Sequence, residues 1–169
     1  MARQSSSRSR NGERGQSKAG QSKAMPEILT LIKHDHEAAK KLFKEFEQVA
    51  QSDHEEAGAL GQQILEELTL HAELEEQTIY PWLQKKDEHL YHEAEEEHHV
   101  AKLLIAELET MTPEDPTFEA KMMVLVENVL HHMKEEESEM FEKIRALPND
   151  ALQQAAEDWK ARKGMDMAA

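Results

Sequence analysis

The chain carries the same ligand-like pattern twice. His71 and Glu75 are separated by three residues, and His132 and Glu136 repeat that spacing 61 residues later. A spacing of four places both side chains on one face of a helix. Imidazole and carboxylate together are suitable ligands for a transition-metal ion. A His-x-x-x-Glu pair that recurs within one small protein therefore indicates a metal site.

The duplication extends beyond these four residues. Apolar residues have apolar counterparts at the same offset of 61, starting from Ile64, Leu65, Leu68, Ile79 and Leu83. Upstream, residues 35–47 match residues 97–109 at an offset of 62, which pairs His36 with His98. Each half thus has one His on a first helix and His-x-x-x-Glu on a second. Two such helix pairs predict an all-α, up-down-up-down four-helix bundle with an internal two-fold repeat.

The composition agrees with a helical protein. Gly and Pro are few, aromatic residues make up 5% of the chain, and Glu, Ala, Leu and Lys dominate. No apolar run approaches the roughly 20 residues that a membrane span requires, so a cytoplasmic protein is expected. Cysteine is absent. Any metal must therefore be held by imidazole and carboxylate, which suit iron, manganese or zinc.

Charge divides the chain into three predicted regions. Residues 1–24 carry six basic side chains against one acidic and few apolar ones, which predicts a disordered basic tail. Residues 25–147 are assigned to the bundle, and residues 148–169 to a short C-terminal helix with a tail. Beyond residue 24 there are 34 acidic and 14 basic side chains. That excess disfavours nucleic acid and anionic membranes, leaving the basic tail as the only expected contact with an anion.

Turn and capping signals divide the predicted bundle into helices. Ser52 and Glu55 have the spacing of a capping box that would open the second helix. Asn149 is a candidate cap for the fifth helix, in which Trp159 lies on the apolar side. The predicted helices cover about residues 26–50, 52–86, 89–111 and 116–146, with a short fifth helix ending before Gly164.

The orientation of the repeated pairs supports a buried cation. With about 100° per residue, Glu75 and Glu136 fall near the centres of the apolar stripes of their helices. His71 and His132 lie roughly 60° away. An unpaired buried carboxylate costs several kcal/mol, and two of them at equivalent positions are best explained by a cation between them. The alternatives are a buried His–Glu ion pair, or surface residues that an idealised helical wheel places inward.

The single histidines are supported only by the repeat. His36 and His98 lie roughly 120° from the centres of the apolar stripes on their helices, so periodicity alone would not select them. Asp35 and Glu97 point closer to the core, and we expect them to orient imidazole rings. Tyr80 follows the first His-x-x-x-Glu pair and is predicted to be a packing residue, with a radical or proton relay as the alternative.

The remaining polar residues are predicted to be less specific. Two acidic runs are interpreted as solvated helix faces, with weak binding of calcium or another metal as the alternative: Glu93, Glu95 and Glu96, and Glu135–Glu139 apart from Glu136. The other histidines are predicted to lie at the surface or around the ligands: His34, His54, His89, His92, His99 and His131.

Taken together, these motifs resemble the hemerythrin family, whose bacterial form is the HHE cation-binding domain. The resemblance covers about residues 26–146 and rests on His34-Asp35-His36-Glu37, His71-Ala72-Glu73-Leu74-Glu75, Glu97-His98-His99 and His131-His132-Met133-Lys134-Glu135-Glu136. It implies two iron ions with an oxo or hydroxo bridge. By position, His36 and His71 would serve mainly one iron and His98 and His132 the other, with Glu75 and Glu136 bridging.

The resemblance also has a departure. Oxygen-carrying hemerythrins have a fifth histidine one turn from the ligand on the third helix, where this chain has Ala94 and Lys102. Reversible oxygen storage is therefore less expected than reaction with dioxygen, hydrogen peroxide or nitric oxide in a stress response. Catalase- or peroxidase-like turnover is left open, and an iron or oxygen sensor or an iron store is the alternative. A monomer or weak homo-oligomer is expected.

Overall fold

A computed structural model describes residues 24–164, and within this range the chain forms helices and no strand. The helices are α1 Glu27–Val49, α2 His54–Thr78, α3 Tyr80–Lys86, α4 Glu88–Leu108, α5 Phe118–Glu135, α6 Phe141–Arg145 and α7 Asn149–Arg162. A π-helical turn, Glu136–Met140, joins α5 to α6. The all-helical class is thus confirmed. Residues 1–23 of the predicted tail lie outside the described residues.

The four long helices form a helical bundle. α1 packs on α2 and α4 packs on α5, while contacts of α2 with α4 and of α1 with α5 join the pairs. The side-chain amide of Gln51, just after α1, donates to Glu119 at the start of α5. Lys121, also early in α5, pairs with Glu107 at the end of α4. Helix α5 therefore runs antiparallel to both α1 and α4.

The apolar core consists of two clusters, and the predicted ligands lie between them. One cluster contains Ile28, Ile32 and Trp159. The other contains Phe46 and Met122, among other residues. On each long helix, the sequence passes from one cluster to the other through buried polar residues: His36 in α1, His71 and Glu75 in α2, His98 in α4, and His132 with Glu136 at the end of α5. The polar layer is therefore enclosed on both sides by apolar packing.

Two predicted helix starts differ in their details. The N-cap of α2 is Asp53, whose side chain accepts from the Glu56 backbone N–H, so the Ser52 capping box is wrong. The Ser52 hydroxyl instead contacts a backbone carbonyl of α1. Asn149 is the first residue of α7 rather than its cap. At α2, Asp53 directly follows Ser52, and its carboxylate caps a backbone N–H at the start of the helix in place of the Ser52 hydroxyl, which explains the difference there.

The second helix of each half is interrupted at an equivalent place. In the first half, α2 ends at Thr78 and α3 begins at Tyr80, because Pro81 lacks the N–H that would continue the helix. The predicted helix to residue 86 is therefore broken. In the second half, Glu142 occupies the position of Pro81. There the chain continues through the π turn.

Helix α7 packs against α1 and α2. Its buried residues are Leu152, Ala155, Ala156 and Trp159, which confirms the predicted apolar side. Gly164 has a φ of +64° and follows the helix, a conformation that glycine adopts without the steric cost of a Cβ atom. In the described part of the chain, no helix is both long and apolar enough to cross a membrane.

Candidate metal centre

The six predicted ligands meet in the polar layer. All are buried, with Glu75, Glu136 and His36 having no exposed surface. Their ligand atoms form two groups. His36, His71, Glu75 and Glu136 make the first group, and Glu75, His98 and His132 make the second. Among the described residues, only Glu75 belongs to both groups. Glu136 belongs to the first group alone.

The separations between the inward atoms fit shared ions. His71 Nε2 lies 3.1 Å from Glu75 Oε1, and His36 Nε2 lies 3.0 Å from Glu136 Oε2. In the second group, His98 Nε2 lies 3.1 Å from the Nε2 atom of His132. Two ligand atoms at right angles, each about 2.1 Å from one ion, lie about 3 Å apart. The donor set therefore suits a cation in each group.

Hydrogen bonding supports the same interpretation. Six buried inward atoms have no hydrogen-bond partner among the described residues: Nε2 of His36 and of His71, and both carboxylate oxygens of Glu75 and Glu136. These atoms lie close to the inward atoms of neighbouring ligands, but the angles do not allow a hydrogen bond between them. Buried polar atoms normally have hydrogen-bond partners, and a bound ion is one accepted reason when they do not. Imidazole and carboxylate at these positions are the donors that iron, manganese and zinc accept.

The helical wheel placed His36 and His98 too far from the core, and the reason is local. On α1, Leu31 and Leu42 are apolar but only partly buried, and they shift the mean direction of the apolar residues away from His36. On α4, Val100 and Leu103 are apolar but exposed, and they shift that direction away from His98. The buried face of α1 in fact runs through Ile28, Ile32, His36, Ala39, Phe43 and Phe46. Both histidines are therefore buried, as the repeat indicated.

Each imidazole has a carboxylate on its outer nitrogen. Nδ1 of His132 lies 2.8 Å from Glu97, and Nδ1 of His71 lies 3.6 Å from Asp35. The expectation that Asp35 and Glu97 face imidazoles is thus met, each contacting a histidine of a different helix. The hydrogen bond between His132 Nδ1 and Glu97 fixes the tautomer in which Nε2 faces a metal, whereas the His71–Asp35 contact is a longer electrostatic one.

Two further outer carboxylates were not predicted. Glu137 lies 2.9 Å from His36 Nδ1, and Glu76 lies 3.0 Å from His98 Nδ1. Glu76 and Glu137 are related by the offset of 61. The interpretation of residues 135–139 as a solvated face is therefore wrong for Glu137. Each directly follows a predicted ligand glutamate, but its contact with an imidazole of another helix is visible only in the structure.

The buried charges shift one another's pKa values. Burial opposes protonation of His71, but the Glu75 carboxylate and Asp35 outweigh it and raise the pKa of His71 to about 10. Burial likewise opposes protonation of His132, but the carboxylates of Glu75 and Glu97 raise its pKa to about 10. Burial and the Glu75 charge raise the pKa of Glu136. Without a metal, protons therefore compensate the buried carboxylates.

Tyr80 packs in the apolar core and also contacts one of the predicted ligands. Its ring is buried and stacks on His98 with a centroid distance of 5.0 Å. Its hydroxyl oxygen lies 3.0 Å from His98 Nε2. Burial and the Glu75 charge raise the pKa of Tyr80, so its phenol stays neutral. The residue at the equivalent position of the second half is Phe141, which has no hydroxyl group.

Two cavities reach the predicted metal ligands. A cavity of about 30 Å³ is lined by His71, His98 and His132 together with apolar residues such as Val129. A larger cavity of about 380 Å³ lies between α1 and α2 and reaches His71, Asp35 and Lys163. The small cavity holds a molecule of about water size.

The six other histidines are exposed, as predicted. His131 forms an outer group with Glu97 and Glu135 near His132. Its Nε2 lies 3.4 Å from Glu97, and its side chain is 59% exposed.

An all-helical bundle with a buried layer of imidazoles and carboxylates defines a cation-binding protein. The chain belongs to the hemerythrin family: the model of the hemerythrin HHE cation binding domain matches residues 27–144. The matched range contains all six predicted ligands.

Among curated proteins, one named DNA nickase from Nostoc sp. (strain PCC 7120) is 31% identical over 150 residues, covering 85% of this chain. The aligned part is 41% of the relative, so the chain spans less than half of that protein's length. No solved structure matches the chain.

Proposed function

We propose that this protein binds two iron ions, with His36, His71 and Glu136 holding one, His98 and His132 the other, and Glu75 facing both. The observation that carries the proposal is the pair of buried ligand groups that share Glu75. An oxo- or hydroxo-bridged iron pair would supply the redox and Lewis-acid chemistry. Outer carboxylates hydrogen-bond His36, His98 and His132 and hold Nε2 of each ring inward, and Asp35 faces the outer nitrogen of His71.

We further propose that the ligand is a small oxygen species: dioxygen, hydrogen peroxide or nitric oxide. The cavity of about 30 Å³ beside His98 and His132 admits a molecule of about this size. The hydroxyl of Tyr80 lies 3.0 Å from His98 Nε2, and the raised pKa of Tyr80 keeps this phenol neutral and able to donate a proton there. A reaction with peroxide or dioxygen would use this proton.

The test begins with metal content. Protein loaded anaerobically with ferrous iron, exposed to air and desalted should retain two iron ions per chain and show a near-ultraviolet charge-transfer band. His71→Ala should lose at least one ion, whereas His54→Ala, at the exposed start of α2, should keep both. A wild-type chain that keeps no iron would overturn the proposal.

Addition of hydrogen peroxide then separates an enzyme from a binding module. Repeated peroxide consumption indicates turnover. A single stoichiometric spectral change indicates a sensor or carrier, and a load well above two iron ions per chain indicates storage.

A second candidate function is metal-dependent nicking of DNA, favoured by the relative named DNA nickase. The excess of acidic side chains beyond residue 24 opposes duplex binding, so the basic N-terminal segment would have to supply the phosphate contacts. Conversion of supercoiled plasmid to open circles by the iron-loaded protein, lost in Glu75→Gln, would support it. A plasmid that stays supercoiled would exclude it.

A further inference from the structure

The basic side chains around the buried metal ligands follow the internal repeat only in part. Lys40 and Lys102 are equivalent at the offset of 62. Lys40 Nζ lies 3.4 Å from Glu137, and Lys102 pairs with Glu76. The carboxylates behind His36 and His98 therefore have matching lysine partners.

The other two outer carboxylates, Asp35 and Glu97, are also equivalent but have different partners. Glu97 faces the exposed His131. Asp35 Oδ2 instead lies 3.0 Å from Nζ of Lys163, whose side chain is only 9% exposed. Lys163 also lies 2.9 Å from Glu67. Lys163 follows α7 and lies beyond residues 27–144, the range of the family match.

His71 is the imidazole that needs this additional support. Its Nδ1 atom lies 3.6 Å from Asp35, too far for a good hydrogen bond. The other three outer pairs measure 2.8–3.0 Å. The Asp35 oxygen nearest His71 is also the oxygen that Lys163 contacts.

Trp159 of α7 contacts the same imidazole. Its side chain is fully buried, and its ring stands nearly perpendicular to that of His71, at 82° with a centroid distance of 5.5 Å. The backbone N–H of Lys163 donates to the carbonyl of Trp159, and Gly164 ends the helix immediately afterwards. The end of α7 therefore fixes both side chains beside His71.

We propose that Trp159 and Lys163 are positioning residues for His71, so that the C-terminal helix makes the two cation positions inequivalent. Lys163 holds the carboxylate of Asp35, Asp35 faces the outer nitrogen of His71, and Trp159 restricts the tilt of the ring. The cation at His36 and His71 depends on α7, whereas the cation at His98 and His132 does not. This inference rests on the proposed two-metal function.

A cobalt titration of the full chain tests the inference at each position. The chain has two tryptophans, Trp82 and Trp159, so a Trp82→Phe background leaves only the one beside His71. Co²⁺ at His36 and His71, the position nearer to Trp159, quenches its fluorescence more strongly than Co²⁺ at His98 and His132, and cobalt absorption reports both positions. Unfolding temperatures of the metal-free proteins check the fold.

In this background Lys163→Met should require about 10- to 100-fold more Co²⁺ for quenching, the usual effect of losing support around a ligand. Absorption from the other position should saturate as before. Lys163→Arg should restore most of the affinity, since it keeps the charge. Lys160→Met is the matched control, because Lys160 also joins α7 to α1, through Glu27, away from the cluster.

Equal quenching curves for Lys163→Met and Lys160→Met would overturn the inference, as would equal weakening of both positions. Glu67→Gln is a milder second variant, and it should shift the same curve by a smaller factor. A parent protein that binds fewer than two Co²⁺ ions would instead overturn the two-metal function, and the inference with it.

Discussion

Glu75 and His98 meet across the bundle, with Glu75 Oε2 3.2 Å from His98 Nε2 although the residues lie on α2 and α4. The other oxygen of Glu75 faces His71 at 3.1 Å. One buried carboxylate therefore contacts ligands from both halves of the repeat. Glu136, its equivalent in the second half, is grouped only with His36, His71 and Glu75. The two glutamates are related by sequence but differ in position.

Glu75→Gln should remove both metal ions, because the amide neutralises the negative charge that both groups share. Glu136→Gln should weaken mainly the ion at His36 and His71. Iron content after anaerobic loading and desalting measures both effects. Glu66→Gln changes an exposed glutamate of the same helix and should retain two ions. Full iron content in Glu75→Gln would contradict the shared role.

The metal-free protein should lose stability as the pH rises from about 6.5 to about 10. His71 and His132 have folded pKa values of about 10, against 6.5 for an ordinary histidine. Their protonated forms therefore stabilise the fold fully below pH 6.5, and this contribution disappears as the pH passes 10. Unfolding in denaturant at several pH values measures the change. His132→Gln should flatten the curve, and the exposed His54→Gln should not.

Metal binding should release protons. A histidine must be neutral to bind a metal through Nε2. At pH 8, His71 and His132 are still protonated in the metal-free protein, because both pKa values are about 10. Saturation with Zn²⁺ in weak buffer should therefore release about two protons per chain from these rings. A pH indicator measures the release, and binding without it would show that both rings were already neutral.

Tyr80→Phe should retain two iron ions but react more slowly with hydrogen peroxide. Phenylalanine keeps the stack on His98 and removes only the hydroxyl that faces Nε2. Loss of a positioned proton donor typically slows a reaction by about 100-fold or more. Stopped-flow absorption of the iron-loaded protein measures the rate. Tyr91→Phe is the control, since its hydroxyl donates to the exposed Glu95. Equal rates would make Tyr80 a packing residue only.

The internal repeat was the strongest signal in the sequence. It identified His36 and His98 where the helical wheel placed them outside the core. A wheel weights every apolar residue equally, so exposed Val100 and Leu103 shifted its centre on α4. The repeat was unaffected, because duplicated halves keep the same ligand positions whatever the surface residues are.

The sequence by itself determined the helical class, the six candidate ligands and the apolar side of α7. Helical periodicity and internal duplication are visible in the order of the residues without any knowledge of how the helices pack. Tertiary structure decided how the elements meet. It alone shows that Glu75 faces both halves, that Glu76 and Glu137 support imidazoles, and that Lys163 lies beside Asp35. Those contacts join residues up to 128 positions apart, as for Asp35 and Lys163, and no spacing along one helix encodes them. Packing of separate helices around one buried charge layer brings them together.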